Sequence, residues 1–240
     1  MLRVTNVGVG GAGQAIIADG VRWLADADLS ITSTPVVETT DIAVSTSNTE
    51  NRDVLIVPME DGRIYAMDAV GDVATGDAPD VFWTYPSENP SSDPNSALSQ
   101  DGRSTELPTG FNGSSGLIQT VGGRSVFYIA SENGRIYALD VEGRGDGTTE
   151  RIWSWPNDYD PANPVGGRQA PQAGQASSVT YGTFNVTPAL YVLTGSGWLY
   201  VLDADGNAAN RTTSVLYSRD LVAEPFTTTP VFDNGVLYVN

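Results

Sequence analysis

The chain has 240 residues, 40% of them hydrophobic, with 26 Gly and a formal net charge of −17. That is ordinary globular usage, long enough to bury a sizeable core in one or two domains. There is no Cys and no His, and all 12 basic residues are Arg. This excludes disulfides, zinc sites of Cys or His, Ser–His–Asp and Cys–His units, and a catalytic lysine within these residues. Carboxylates, Tyr, Ser/Thr and Arg remain for chemistry. The negative charge opposes phosphate backbones and anionic membrane surfaces, so neither nucleic acid nor a membrane is expected as a partner. No run of about 18 apolar residues is present, and no membrane insertion is expected. The first residues, Met1–Asn6, lack the basic and apolar regions of a signal peptide.

In chain order, the first expected elements are two short strands, Leu2–Asn6 and Gly20–Leu24, the second carrying Trp23. A group of four follows. Strand A is Ser33-Thr34-Pro35-Val36-Val37, strand B is Val54–Val57, strand C is Ile64–Asp68, and strand D is Val81–Pro86 with Trp83. The turn Glu60-Asp61-Gly62 joins B to C. Asp-Gly between apolar β-formers is the strongest short hairpin signal, because these residues accept φ > 0. The group then recurs. A is Ser114–Ile118, B is Val126–Ile129, C is Ile136–Asp140, and D is Arg151–Pro156 with Trp153. In a third copy, A is Ser177–Tyr181, B is Ala189–Val192, C is Leu199–Asp203, and D is the weaker Val215-Leu216-Tyr217. The chain closes on Thr228–Phe232 and Val236–Val239, an A and a B. The most legible repeat is Gly62-Arg63-Ile64-Tyr65-Ala66-Met67-Asp68, seen again as Gly134–Asp140 and as Gly197-Trp198-Leu199-Tyr200-Val201-Leu202-Asp203. Such repetition points to a repeat architecture. The small residues of strand A suit a crowded innermost position.

The pattern of apolar strand, [DNS]-Gly-x-[IL]-Tyr-[AV]-[LM]-Asp, turn and Trp resembles the pyrroloquinoline-quinone (PQQ)-like β-propeller repeat, shared by quinoprotein dehydrogenases and an outer-membrane assembly scaffold. The resemblance implies an all-β fold of four-stranded antiparallel blades. On that frame residues 1–30 are a partial blade, 31–86, 112–156 and 177–218 are blades, and 226–240 is a second partial blade, all of one domain spanning 1–240. Sixteen strands would close a four-bladed ring. The family's seven or eight blades favour an arc of a larger one. Family blades place Trp soon after the repeated Asp; Trp83 and Trp153 come late, so their docking spacing is stretched. Both are expected buried against an adjacent blade.

Function is expected on two long D-to-A stretches, 87–111 and 157–176, rich in Pro, Ser, Asn and Gly. Strand parity puts both on the face of the B–C hairpins, offering Phe111 and Tyr159 to a protein partner. Calcium candidates are Asp203, Asp205 and Asn207, and Asp140 with Asp146, because hard cations take oxygen clusters on turns. The same Asp residues equally suit turns in which the side chain bonds its own backbone. Arg144-Gly145-Asp146 reads as chance in a Gly-rich turn. Asn112, Asn185 and Asn210 open formal glycosylation sequons.

The resemblance implies two functions. One is a non-catalytic scaffold that presents a loop-rich face to protein partners in the bacterial cell envelope, periplasmic or extracellular. The other is part of a dehydrogenase holding PQQ and Ca²⁺. Many such enzymes carry a vicinal Cys pair, absent here, and no catalytic residue can be assigned. A carboxylate-based carbohydrate enzyme is a third reading, since two acids can suffice.

Overall fold

A computed structural model describes residues 31, 33–70, 80–87, 110–111, 114–132, 134–156, 178–195, 197–209, 211–221 and 229–239. They form an all-β structure of three four-stranded antiparallel sheets and one two-stranded sheet. The expected strands at Leu2–Asn6 and Gly20–Leu24 lie outside the described residues.

The first sheet holds β1 (Val36–Ser45), β2 (Asn48–Pro58), β3 (Ile64–Asp68) and β4 (Val81–Tyr85), paired in chain order. The second holds β5 (Leu117–Val121), β6 (Arg124–Ala130), β7 (Ile136–Asp140) and β8 (Arg151–Trp155). The third holds β9 (Thr180–Phe184), β10 (Thr187–Leu193), β11 (Trp198–Asp203) and β12 (Val215–Asp220). The last pair is β13 (Val231–Asp233) and β14 (Val236–Tyr238).

The second sheet is buried on both faces, and the inner runs Val54–Val57, Val126–Ala130 and Ala189–Leu193 are apolar at every position. In β6, Val126, Tyr128 and Ala130 pack toward the third sheet with Leu190, Val192 and Tyr200. The alternate residues Phe127 and Ile129 pack toward the first sheet with Ile56, Ile64 and Trp83. Successive side chains of a strand point to opposite faces, so a strand between two neighbours needs both sets hydrophobic.

The repeat extends to its irregularity. A bulge falls at the same place in each third-to-fourth strand pairing: after Ala66↔Trp83, Ala138↔Trp153 and Val201↔Tyr217. The extra residue is Phe82, Ile152 or Leu216. Bulges bend and twist a strand and re-aim its side chains. Here the bulges at Phe82 and Ile152 precede the residues that meet the next sheet, Trp83 and Trp153.

Two expectations about strands A and B need correction. Strand A begins at Val36, Leu117, Thr180 and Val231, three residues later than its Ser/Thr-rich segment suggested. The small residues bond sideways instead. Thr34 and Ser115 form a parallel bridge, and Ser33 Oγ donates to the Ser114 carbonyl at 2.5 Å. Ser178 Oγ accepts the Ser115 N–H at 2.8 Å, and Thr180 Oγ1 donates to the Pro230 carbonyl. A strand ladder along the sheet and a seam between sheets compete for the same backbone groups, and short hydroxyl side chains favour the seam.

The second correction concerns length. The first hairpin is far longer than the apolar cores Val36-Val37 and Val54–Val57 implied. It continues as polar residues joined across the pair, with Thr39 Oγ1 to Asp53 at 2.5 Å and Asn51 Nδ2 to Asp41 at 3.0 Å. Its tip reaches the second sheet. The Ala43 N–H donates to the Glu142 carbonyl at 2.8 Å, and Ile42 is fully buried between the sheets.

Candidate functional site

The repeated Asp at the end of each third strand opens a turn of one design. The Asp140 Oδ1 accepts the Glu142 N–H at 3.0 Å, and Asp203 Oδ1 accepts the Asp205 N–H at 3.1 Å. The residue between them donates its N–H back to the start of the second strand: Val141 to Ser125 at 3.0 Å, and Ala204 to Pro188 at 3.0 Å. Its carbonyl points the other way, toward the preceding sheet. Trp83 Nε1 donates to the Val141 carbonyl at 2.9 Å, and Trp153 Nε1 to the Ala204 carbonyl at 3.1 Å. Tyr128 Oη adds a bond to the same Ala204 carbonyl at 2.9 Å.

A glycine completes each dock. A Cβ on Gly143 would stand 2.5 Å from Trp83 Cδ1, and one on Gly206 would stand 2.3 Å from Trp153 Cδ1. Both have positive φ, 72° and 61°, which only Gly adopts without cost. Trp83 and Trp153 are 1% and 0% exposed, as the sequence led us to expect. The stretched spacing to the repeated Asp does not disturb the docking, because each Trp docks on the next sheet's turn, not its own.

Three of the calcium candidates, Asp203, Asp140 and Asp146, hold turns with their carboxylates. Asp203 and Asp140 hold their turns as above. Asp146 Oδ1 accepts from the Thr148 N–H at 3.0 Å and from Thr148 Oγ1 at 2.7 Å. Asn207 pairs its backbone with Thr212, at 2.7 and 3.2 Å. Asp205 lies across from the Gly122-Gly123 turn, with Oδ1 2.7 Å from where a Gly122 Cβ would stand. Among the described residues no three acidic side chains converge as a metal site. Burial pushes the Asp140 carboxyl above its ordinary range; the Glu142 N–H and Arg124, 4.0 Å away, work in the opposite direction. Burial likewise pushes the Tyr128 phenol up. The Arg144-Gly145-Asp146 tripeptide is packed against the first hairpin, where a Gly145 Cβ would stand 2.0 Å from the Ser45 carbonyl carbon.

The opposite edge carries the B–C hairpins, and the described ends of both long stretches come to it. The carbonyl of Gly110, near the end of 87–111, accepts from Ser131 Oγ and from the Glu132 N–H, each at 2.9 Å. A Cβ on Gly110 would stand 2.8 Å from the Glu60 carbonyl oxygen and 2.9 Å from Glu132 Oε2. Gly110 is thus wedged between the hairpin turns of the first and second sheets. At the start of 157–176, Arg135 Nη2 donates to the Pro156 carbonyl at 2.7 Å and lies 3.3 Å from Ser154 Oγ. Arg135 follows the hairpin Gly134, so this stretch also departs from the hairpin edge. Residues 88–109 and 157–177, with Tyr159, lie outside the described residues.

Phe111 is a correction. Expected as an exposed contact residue, it is fully buried between the first and second sheets with Trp83 and Phe127. An aromatic next to a tightly held Gly gains more from core burial than from solvent. The sequence reading missed Gly110, for which no periodic signal exists, and the part played by Arg135, although the repeat Gly62-Arg63-Ile64 and Gly134-Arg135-Ile136 marks that position. It also missed Gly143 and Gly206, although these were legible. Extending the repeat three residues past its Asp gives Asp68-Ala69-Val70-Gly71, Asp140-Val141-Glu142-Gly143 and Asp203-Ala204-Asp205-Gly206.

No known protein family matches the chain. No curated protein matches it either. Among solved structures the chain is similar to the crystal structure of BBS1N in complex with ARL6DN, soaked with lead, with 14% identity and a TM-score of 0.26. The match covers 86% of this chain and 57% of that one, so the chain spans little more than half the length of the structure it resembles.

Proposed function

We propose that the chain is part of a β-propeller of the PQQ-like type, and that it works as a non-catalytic scaffold whose hairpin edge presents 87–111 and 157–176 to a protein partner. The single observation that carries this reading is the anchoring of both stretches on one rigid edge. Gly110 is locked between two hairpins and Pro156 is held by Arg135. Long stretches displayed side by side on a packed framework are the usual construction of a binding face. The propeller arrangement is supported by the repeated indole docking from each sheet to the next and by the Ser/Thr seam joining the first strands. Excess negative charge favours a partner with a basic surface over nucleic acid. The repeat family's habits suggest the cell envelope, periplasmic or extracellular, as the setting.

The test replaces residues 88–109 and 157–176 with short Gly/Ser linkers, singly and together. Circular dichroism should retain the β signature, because closure entropy changes slowly with loop length. Tagged wild type should then retain a stoichiometric partner from an envelope fraction that the doubly shortened chain does not. Equal recovery of that partner by both would overturn the binding half. A helical spectrum of the wild type would overturn the fold half.

A further inference from the structure

Three hairpins join a first strand to a second through the same two-residue turn. Gly122 and Gly123 link β5 to β6 with φ of 59° and 83°, Asn185 and Val186 link β9 to β10 with 48° and 67°, and Asn234 and Gly235 link β13 to β14 with 49° and 79°. A two-residue loop of this hand needs φ > 0 at both positions, which Asn and Gly accept. The turns match in backbone and differ in chemistry. Among the described residues Asn234 is the one asparagine followed by glycine. It is exposed, as is Gly235, where an added Cβ would have nothing within 4 Å. Asn234 Nδ2 donates to Asp233 Oδ2 at 3.2 Å. The hairpins also differ in how firmly they are held: five residue pairs close β9–β10 and three close β13–β14. Short, exposed strand pairs open locally at low free energy.

We propose that Asn234 is a site of spontaneous covalent modification, in which the Gly235 peptide nitrogen attacks the Asn234 side-chain amide and the product loosens the cover of the third sheet. The proposal goes beyond the binding reading above and does not depend on it. The bond from Gly235 N to Asn234 Cγ forms, the Cγ–Nδ2 bond breaks, and the Gly235 N–H proton leaves with Nδ2 as ammonia. Water then opens the five-membered imide at either carbonyl, giving aspartate or isoaspartate. Gly235 has no side chain to crowd the attacking nitrogen. In the β9–β10 turn the β-branched, χ1-restricted Val186 flanks the same atom. Ring closure needs Asn234 to leave its turn conformation, and the three-pair hairpin supplies that opening. The consequence follows from the packing. Isoaspartate routes the main chain through Cβ, adding one backbone atom to the turn that sets the register Asp233↔Val236 and Phe232↔Leu237. Phe232 stacks on Tyr191 at 5.1 Å and lies over Gly182, where a Cβ would stand 2.4 Å from its ring. A shift in register withdraws that ring from Tyr191, which is 5% exposed beneath it. Either product also sets a carboxylate beside Asp233 in place of a hydrogen-bond donor.

The chain is incubated in mildly alkaline buffer, and aliquots are mapped by tryptic mass spectrometry with isoaspartyl methyltransferase labelling. Cleavage after Arg219 places Asn234 in the peptide 220–240, apart from the Asn-Gly pairs at Asn112 and Asn133. The expected result is a mass gain of about 1 Da and methyl labelling at Asn234, about tenfold faster than at Asn185, whose neighbour is β-branched. Val186→Gly should make Asn185 convert, but more slowly than Asn234, because five residue pairs hold its hairpin. Aged wild type should show faster hydrogen exchange in β13 and β14 while β6 and β7 stay protected. Asn234→Gln, incubated alongside, should keep its original exchange in all four strands. An unchanged Asn234, equal rates at Asn185 and Asn234 in the wild type, or an Asn185 still inert in Val186→Gly would overturn the assignment of the site. Unaltered exchange after complete conversion, or equal loss of protection in Asn234→Gln, would overturn its consequence. None of these outcomes bears on whether 87–111 and 157–176 bind a partner.

Discussion

The seam between the second and third sheets and the outer flank of the third sheet are built on the same register, and they end differently. At the seam, Trp153 stands opposite Ala138, is fully buried, donates its indole N–H and lies 5.8 Å from the Tyr128 ring. At the flank, Tyr217 stands opposite Val201 at the equivalent place, is 40% exposed and stacks on Phe184 of its own sheet at 5.8 Å. The difference lies in what the next sheet supplies. The third sheet has a full neighbour on the Trp153 side. On the other side, the described neighbour is the pair β13–β14, whose Phe232 and Leu237 cover Tyr191 and Val201 but present no third strand with its docking turn. A position in the repeat thus sets where an aromatic points, and the neighbouring sheet sets how much it is worth.

The largest effect expected from this contrast is in side-chain truncation. Trp153→Ala and Trp83→Ala should each cost about 3–5 kcal/mol in urea denaturation, the range for large buried aromatics. Tyr217→Ala should cost only about 1 kcal/mol, since it loses part of its burial and one ring pair. Equal losses would show that the flank is covered as fully as the seam.

Glycine substitutions sharpen the comparison one step further. Gly206→Ala faces both a positive φ and the Trp153 ring. It should cost about 1–3 kcal/mol for overpacking on top of the left-handed backbone penalty. Gly235→Ala, also at positive φ but with nothing within 4 Å of its Cβ, should cost only the backbone part, about 1–2 kcal/mol. At the turn before β10 the logic reverses. Val186 is 97% exposed at φ 67°, in a two-residue turn where the equivalent residues are Gly123 and Gly235. A β-branched residue there is strained, so Val186→Gly should stabilise by about 1 kcal/mol.

A smaller effect is expected from pH. The Asp140 carboxyl is raised by burial, so the folded chain holds that proton more readily than the unfolded one. Its contribution therefore favours folding below the ordinary carboxylate range and is lost as pH rises through the folded value. Asp140→Asn, which keeps an acceptor for the Glu142 N–H, should remove that decline. A melting-temperature series from pH 3 to 7 should show the variant gaining on wild type as pH rises; the opposite slope would mean that Arg124 outweighs burial. The smallest effect is calcium. Millimolar CaCl₂ should leave the melting temperature unchanged, because the Asp140, Asp146 and Asp203 carboxylates already accept N–H groups of their own turns. A saturable rise, lost in Asp205→Asn, would reveal an ion after all.

Local chemistry alone determined the hairpin turns and the apolar third strands. A Gly after Glu-Asp, Glu-Asn or Gly-Ser makes a tight turn wherever it stands, and runs such as Val54–Val57 and Val126–Ile129 have no stable place except between two apolar layers. The Asx turns at Asp140 and Asp203 were legible for the same reason, since the carboxylate bonds an N–H only two residues away. Tertiary structure decided what depended on a neighbour distant in the chain. Ser33, Thr34 and Ser115 look like strand residues until another sheet offers them partners 63 to 81 residues away. Phe111 looks exposed in a polar stretch until Gly110 is wedged between two hairpins and turns it inward. The stretch from Thr39 to Arg52, polar but for Ile42-Ala43-Val44, shows no strand alternation, and it extends as a hairpin because the second sheet receives its tip. In each case the deciding energy comes from groups far away in sequence, and composition and spacing carry no record of which distant groups will meet.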